Sequence, residues 1–276
     1  MKAPVLLWAL LSASWAEDFC QKENDYEEED CSAGKTSERV VKLANGVLMP
    51  EVGFGTWKIT EEKDIFKVLD GSLGSGYRLI DTAVVYNNHR WEMLESYHYI
   101  TLLILYRAIS KALAVLLAEH GVGREEIFIT SKIPTRASVP SPDWPNLADC
   151  RAGLEAMLVS LDTEYLDLLL IHSPPATEEE RREAWLCLEG FYKEGKARAV
   201  GVSNYEIHQL EEIQTFSSVR PLVNQIYYNP LAVRRQEDLV SYCRQHNIHL
   251  TAFTSLGNAA PNRLLNNKLT HNIANK

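Results

Sequence analysis

The chain has 276 residues, enough for one barrel-sized domain or two small ones. It is 46% hydrophobic and 24% charged, an ordinary globular balance that excludes wholesale disorder. The net charge of −9 is concentrated between Glu17 and Asp30, where eight acidic residues face one lysine. The remainder carries only about −2 and shows no basic patch able to hold nucleic acid.

In chain order, residues 1–16 read as a signal peptide. Met1-Lys2 is a short positive start, residues 5–11 are an apolar core, and Ser14-Trp15-Ala16 offers small residues before a cleavage site. The apolar core is too short for a membrane anchor. Entry into the secretory pathway is therefore expected, the product being secreted or lumenal, with a cytoplasmic protein as the alternative. Residues 17–39 are acidic, lack apolar periodicity and predict a disordered leader. Cys20 and Cys31 bracket that leader and are a candidate disulfide in an oxidising lumen. Cys150, Cys187 and Cys243 fall in helical patterns and read as buried thiols. No cysteine has CxxC or metal-ligand spacing, so no metal site is expected.

Order is expected from Val40, in a domain spanning 40–276. Two apolar runs, 40–43 and 47–49, flank Ala44-Asn45-Gly46 and predict a hairpin. Strand patterns follow at 52–54, 79–81, 127–130, 166–171, 199–202, 223–226 and 249–253. Helical patterns lie between them, at 65–73, 147–161, 178–194, 207–215 and 235–246. The strands are continuous apolar runs, as expected of parallel strands covered on both faces. The alternation predicts an α/β fold, either a barrel or an open doubly wound sheet. Polar residues decide between these. Asp81, Lys132, His172, Ser203-Asn204 and Gln225 each lie at or near the C-terminal end of a different strand. A barrel gathers those ends into one ring, where barrel active sites sit, whereas an open sheet spreads them along an edge. The glycine-rich Gly71–Gly76 stretch ends a helix before a strand, the reverse of a dinucleotide fingerprint, and reads as capping.

Five segments then carry a family resemblance. Gly53-Phe54-Gly55-Thr56-Trp57, Ile80-Asp81-Thr82-Ala83-Val84-Val85-Tyr86-Asn87-Asn88, Thr130-Ser131-Lys132, Leu170-Ile171-His172-Ser173-Pro174 and Gly201-Val202-Ser203-Asn204-Tyr205 resemble, in order, motifs of the aldo-keto reductases. The resemblance runs from about Val40 to Gly257. It implies a (β/α)8 TIM-type barrel, NADP(H) as cofactor and a small-molecule carbonyl as substrate; a monomer is expected. The catalytic residues it implies are Asp81, Tyr86, Lys132 and His172. A carbonyl accepting a hydride develops charge on oxygen and needs a proton. A phenol with a pKa of about 10 is a poor acid at neutral pH, and the Lys132 ammonium is expected to lower it. Asp81 would pair with the lysine, and His172 would hydrogen-bond the substrate oxygen. Standing alone, each has a plainer reading: Asp81 as a helix N-cap, Tyr86 as a loop aromatic, Lys132 as a solvated charge, His172 as a satisfied polar group. For the cofactor, the resemblance implies Asp81 and, against the nicotinamide carboxamide, Ser203, Asn204 and Gln225. Phe253 takes the ring-stacking position, and Ser255 and Leu256 a phosphate-contacting loop in which Ser255 replaces the usual proline. Trp57 is expected to line the substrate pocket.

Two departures from the family pattern stand out. Residues 91–107 form a 17-residue insert, whose removal restores an ordinary loop and helix; the milder reading is that it extends the helix. After Gly257 no eighth strand or final helix is recognisable before Lys276, so an incomplete barrel is expected, with weak NADPH binding and slow or no turnover. NADP-dependent reduction of aldehydes or ketones, with a tyrosine general acid, is the first functional expectation. A catalytically impaired variant acting as a binding or interaction protein is the second.

Overall fold

The computed structural model describes residues 39–59, 61–84, 86, 104–135, 150–230, 236–257, 266–268 and 272. The expected signal peptide, the acidic leader with Cys20 and Cys31, and most of the 91–107 insert lie outside the described residues. A short antiparallel hairpin comes first, β1 (Val40–Lys42) and β2 (Leu48–Pro50). Its turn is closed by Asn45, whose Oδ1 accepts from Val47 N at 3.2 Å, and by Gly46 at φ +89°, a left-handed conformation that glycine adopts without a Cβ clash.

Seven parallel strands follow among the described residues: β3 (Gly53–Gly55), β4 (Leu79–Asp81), β5 (Phe128–Ile133), β6 (Leu166–Ile171), β7 (Ala197–Ser203), β8 (Val223–Tyr227) and β9 (His249–Phe253). They pair in sequence order, each with the next. The connecting helices are α1 (Glu62–Gly74), α2 (Ile104–His120), α3 (Cys150–Leu161), α4 (Glu178–Lys193), α5 (Ile207–Phe216) and α6 (Glu237–Gln245). Helix α4 shows how local sequence sets these boundaries. The Thr177 hydroxyl accepts from Glu180 N while the Glu180 carboxylate accepts from Thr177 N, both at 3.2 Å, forming a capping box. Ala184, Trp185, Leu188 and Phe191 form the buried stripe, and Gly195 at φ +74° follows the C-terminus.

The sheet is curled. Asp81 on β4 and Gln225 on β8 lie four strand positions apart, which in a flat sheet is about 19 Å at the usual strand spacing. Their side chains nevertheless meet at 2.8 Å. Two cores result. One packs the helices on the outer face, with Ile80, Ile129, Leu169, Ile171, Val200 and Val202 from the strands. The other fills the interior with Leu79, Phe128, Leu168, Leu170, Ala199 and Val223, and the hairpin closes its lower end with Leu43 and Met49. This is the barrel architecture expected from the sequence. The outermost strands, β3 and β9, each pair with one neighbour among the described residues.

Two expectations are corrected or refined. Cys150 and Cys187 are not separate buried thiols; they form a disulfide linking α3 to α4. The two lie 37 residues apart, and only the side-by-side packing of these helices brings their Cα atoms to 6.5 Å, within disulfide reach. The same seam carries the two-pronged ion pair from Arg151 to Glu194, at 2.6 and 2.8 Å. Cys243 is a buried free thiol, as expected. The last four residues of the 91–107 stretch are the first turn of α2, and its other residues lie outside the described ones. Leu105 and Tyr106 belong to the outer core, and the Tyr106 hydroxyl meets Ser131 Oγ at 2.7 Å.

Gly201 shows how tightly the strands are set. A Cβ there would lie 2.3 Å from the Val223 carbonyl oxygen and 2.9 Å from the Leu170 side chain. Backbone cannot yield as a side-chain tip does, so Gly201→Ala should force β7 and β8 apart. A loss of about 1–3 kcal/mol or more is expected from such overpacking. Denaturant unfolding of the two proteins measures it, and equal midpoints would contradict this account.

Candidate active site

Side chains alternate between the faces of a strand with period two. Leu79, Phe128, Leu168, Leu170, Ala199 and Val223 point into the barrel. The same parity, carried toward the C-terminal ends, puts Asp81, Lys132, His172, Ser203 and Gln225 on the inner side. The apolar interior thus gives way at its upper end to one polar layer.

Lys132 is the centre of that layer. It sits within β5 rather than after it, paired in register with Leu170, and is only 1% exposed. Its ammonium donates to Asp81 Oδ1 at 2.6 Å, to the Tyr86 hydroxyl at 2.7 Å and to the Thr82 carbonyl at 3.2 Å. Those three bonds match its three donors. Burial pushes the Lys132 pKa down, and the Asp81 carboxylate opposes that shift. Asp81 is fixed in turn at the end of β4, where Thr56 N donates to its carbonyl at 2.9 Å and the Thr56 hydroxyl reaches Thr82 Oγ1 at 3.0 Å.

Tyr86 donates its hydroxyl to Asp81 Oδ1 at 3.0 Å. The expected lowering of its pKa by Lys132 is overturned. Burial and then the Asp81 carboxylate hold the phenol well above its ordinary value. The physical reason is that the carboxylate lies within hydrogen-bond reach of the phenol and penalises a second negative charge there. Tyr86 is therefore a neutral phenol that retains its proton at physiological pH. His172 follows β6 and packs edge-on against the Tyr86 ring at 5.8 Å. Burial, reinforced by the Lys132 charge, pushes its pKa down to about 3, so its imidazole is neutral. Its Nδ1 is buried without a hydrogen-bond partner among the described residues.

The groups expected at the nicotinamide carboxamide form an adjoining chain. The Ser203 hydroxyl and Asn204 N both donate to the Gln225 carbonyl, at 2.8 and 2.9 Å. The Asn204 side-chain amide donates to Ser203 Oγ at 3.0 Å and to the His172 carbonyl at 3.3 Å. Asn204 adopts φ +61°, a left-handed conformation that asparagine tolerates better than most residues. The buried Asn224 side chain pins the following turn through Tyr205 O at 3.0 Å. Phe253 ends β9, half-buried and edge-on to Tyr227 at 5.8 Å. Ser255 is exposed beyond it, and its hydroxyl is turned back onto the Ala252 carbonyl at 3.3 Å; Leu256 is half-buried beside it. Trp57 lies just past β3 with 46% of its surface exposed, at the rim of the strand ends.

Three side chains had no role in the sequence reading. Thr56, Thr82 and Tyr106 are buried polar groups that support Asp81 and the β5 strand. Thr56 and Thr82 lie inside the quoted motifs; Thr82 directly follows Asp81 in the sequence, whereas Thr56 meets it only through the pairing of β3 with β4.

A buried lysine, a neutral phenol, a carboxylate and a neutral imidazole converge at the C-terminal face of a curled parallel sheet, which makes this a (β/α)-barrel with a polar cluster at its strand ends. The chain belongs to the aldo/keto reductase family, which residues 51–268 match. It is 34% identical over 236 residues to the glyoxal reductase of Bacillus subtilis (strain 168), covering 86% of this chain and 73% of that protein. It is 33% identical over 239 residues to the 9,11-endoperoxide prostaglandin H2 reductase of Trypanosoma cruzi (strain CL Brener), covering 86% and 72%. A solved structure of a Bombyx mori aldo-keto reductase in complex with NADP superposes with a TM-score of 0.62 at 26% identity, covering 80% of this chain and 70% of that one.

The His172 shift has a measurable consequence. With its folded pKa depressed, the neutral ring contributes stability above the ordinary value of about 6.5, lost as pH falls toward 3. The His172 ring resonance should therefore not titrate between about pH 5 and 8. A midpoint near the ordinary value would contradict its burial beside Lys132.

Proposed function

We propose that this chain reduces small aldehydes or ketones to alcohols, with NADPH as hydride source and Tyr86 as general acid. The observation that carries the reading is the Lys132–Tyr86–Asp81 cluster beside neutral His172. A bound reduced nicotinamide supplies the hydride. The residues present fit such a group: Ser203, Asn204 and Gln225 offer amide and hydroxyl functions in one layer, and Phe253 offers an aromatic face at the adjoining strand end. The Bombyx mori relative, which holds NADP, supports the same choice of cofactor.

As the carbonyl oxygen gains charge, neutral His172 directs it with an N–H hydrogen bond. Tyr86 then gives up its proton: the phenol O–H breaks and an alcohol O–H forms on the substrate. The phenolate left behind faces the Lys132 ammonium at 2.7 Å, which stabilises the charge in a poorly solvated place. The substrate class follows less tightly. The two relatives are named for a dicarbonyl and for a prostaglandin endoperoxide, so membership alone does not choose. Glyoxal is the first compound to try, because that relative has the higher identity.

The test is NADPH titration of the purified chain, followed by loss of nicotinamide absorbance on adding glyoxal. Tyr86→Phe should lower kcat at least about a hundredfold, the scale of a lost general acid, and leave NADPH binding nearly unchanged. Retention of most activity would overturn the assignment. Tight NADPH binding with no carbonyl turned over would favour a binding role instead.

The compartment proposed is the secretory pathway. The signal-peptide pattern of residues 1–16 supports it, and so does the Cys150–Cys187 disulfide, a kind of bond that is rare in a reducing cytosol. Protein secreted by expressing cells should begin at Glu17, and its peptide map should contain Cys150 linked to Cys187. An intact Met1, or free thiols at both cysteines, would refute this placement.

A further inference from the structure

We propose that Gln225 is a positioning residue of the proton-transfer site, holding the second oxygen of the Asp81 carboxylate while Lys132 and Tyr86 share the first. The inference rests on the functional reading above but starts from a bond that reading does not use. Gln225 Nε2 lies 2.8 Å from Asp81 Oδ2, and Gln225 is almost wholly buried. A carboxylate only accepts, so the amide orientation is fixed by chemistry: its nitrogen faces Asp81. Oε1 is left as the other end, and among the described residues it has no hydrogen bond.

The side chain thus has two differently committed ends. One of its two N–H donors is given to Asp81, and its acceptor suits an N–H donor such as the carboxamide of a nicotinamide. The Gln225 backbone is itself held, because its carbonyl accepts from both Ser203 Oγ and Asn204 N. A continuous path therefore runs from Asn204 through Ser203 and Gln225 to Asp81, and from there to Lys132 and Tyr86. Without the Gln225 bond, Asp81 would be anchored through Oδ1 alone. Its carboxylate plane would be free to turn about that contact, and the Tyr86 hydroxyl would lose its fixed direction. Misplacement on the scale of 1 Å costs about a hundredfold in rate.

The test uses the full chain in two arms. In cofactor-free protein, the Gln225 side-chain amide is observed by NMR and assigned by its loss in Gln225→Met. It should be protected from solvent exchange, and it should shift and lose protection in Asp81→Asn, which removes the charged acceptor. An exchange-labile resonance indifferent to Asp81→Asn overturns the proposal. In the second arm, kcat and its pH profile are measured at saturating NADPH. Gln225→Met should reduce kcat about tenfold to a hundredfold and move the pH profile, whereas Gln225→Glu, which keeps the acceptor but sets a second carboxylate against Asp81, should be at least as impaired. If Gln225→Met weakens NADPH binding but leaves kcat and its pH profile unchanged, Gln225 serves the cofactor alone and the proposal fails. If the wild-type chain turns over no carbonyl, the functional reading fails by itself, and the first arm still decides whether Gln225 holds Asp81.

Discussion

The polar end of this barrel is organised by the burial of one ammonium group. An isolated cation in an apolar interior is strongly disfavoured and would shed its proton unless it were paired and hydrogen-bonded. Lys132 stands on β5 with Leu170 of β6 beside it in register, at 1% exposure. Each of its three N–H donors has an acceptor, and two of these, Asp81 Oδ1 and the Thr82 carbonyl, come from the end of β4. The requirement to satisfy that charge therefore fixes how the end of β4 meets β5. It also fixes Tyr86, the third acceptor.

The rest of the layer follows from strand alternation. Once Leu79, Phe128 and Leu168 point inward to fill the interior, residues an even number of positions further along each strand must point inward as well. Chemistry is thereby stacked directly on packing: the same register that buries Leu168 and Leu170 aims His172. Small residues set the scale of that stack. Gly201 lets β7 approach Val223 closely, and Ser203 can then reach the Gln225 carbonyl at 2.8 Å. A shift of register by one residue would turn all of these groups into the helical layer.

Much of this was legible in the sequence because it is carried by local pattern. Continuous apolar runs marked the strands, and the polar residues closing those runs marked Asp81, Lys132, His172 and Ser203. The structure brings all of them together. What stayed hidden depends on contacts between distant segments. Cys150 and Cys187 sit in two separate helical patterns, and nothing in either announces that α3 and α4 pack side by side. Gln225 was legible as a strand-end polar residue but not as a partner of Asp81, because that contact exists only once the sheet has curled. The direction of the Tyr86 shift was misjudged for a related reason. The family resemblance implies that a lysine and a carboxylate both lie near the phenol, but not that burial and then the carboxylate set the direction of its shift.

That direction bears on the proposed role of Tyr86 as general acid. Tyr86 has one O–H, and in this structure it points at Asp81 Oδ1. To protonate a substrate oxygen the hydroxyl must turn away, which leaves Asp81 with one fewer donor. In a poorly solvated site such a loss is costly unless the carboxylate keeps other partners. Asp81 keeps two: Lys132 remains on Oδ1 at 2.6 Å and Gln225 remains on Oδ2 at 2.8 Å. Lys132 also stays 2.7 Å from the phenol oxygen and so faces the charge that develops there. The hydroxyl can turn because its departure strands no charge. For the proposed general acid, the Lys132 ammonium facing the developing phenolate has to offset the raised pKa of the buried phenol.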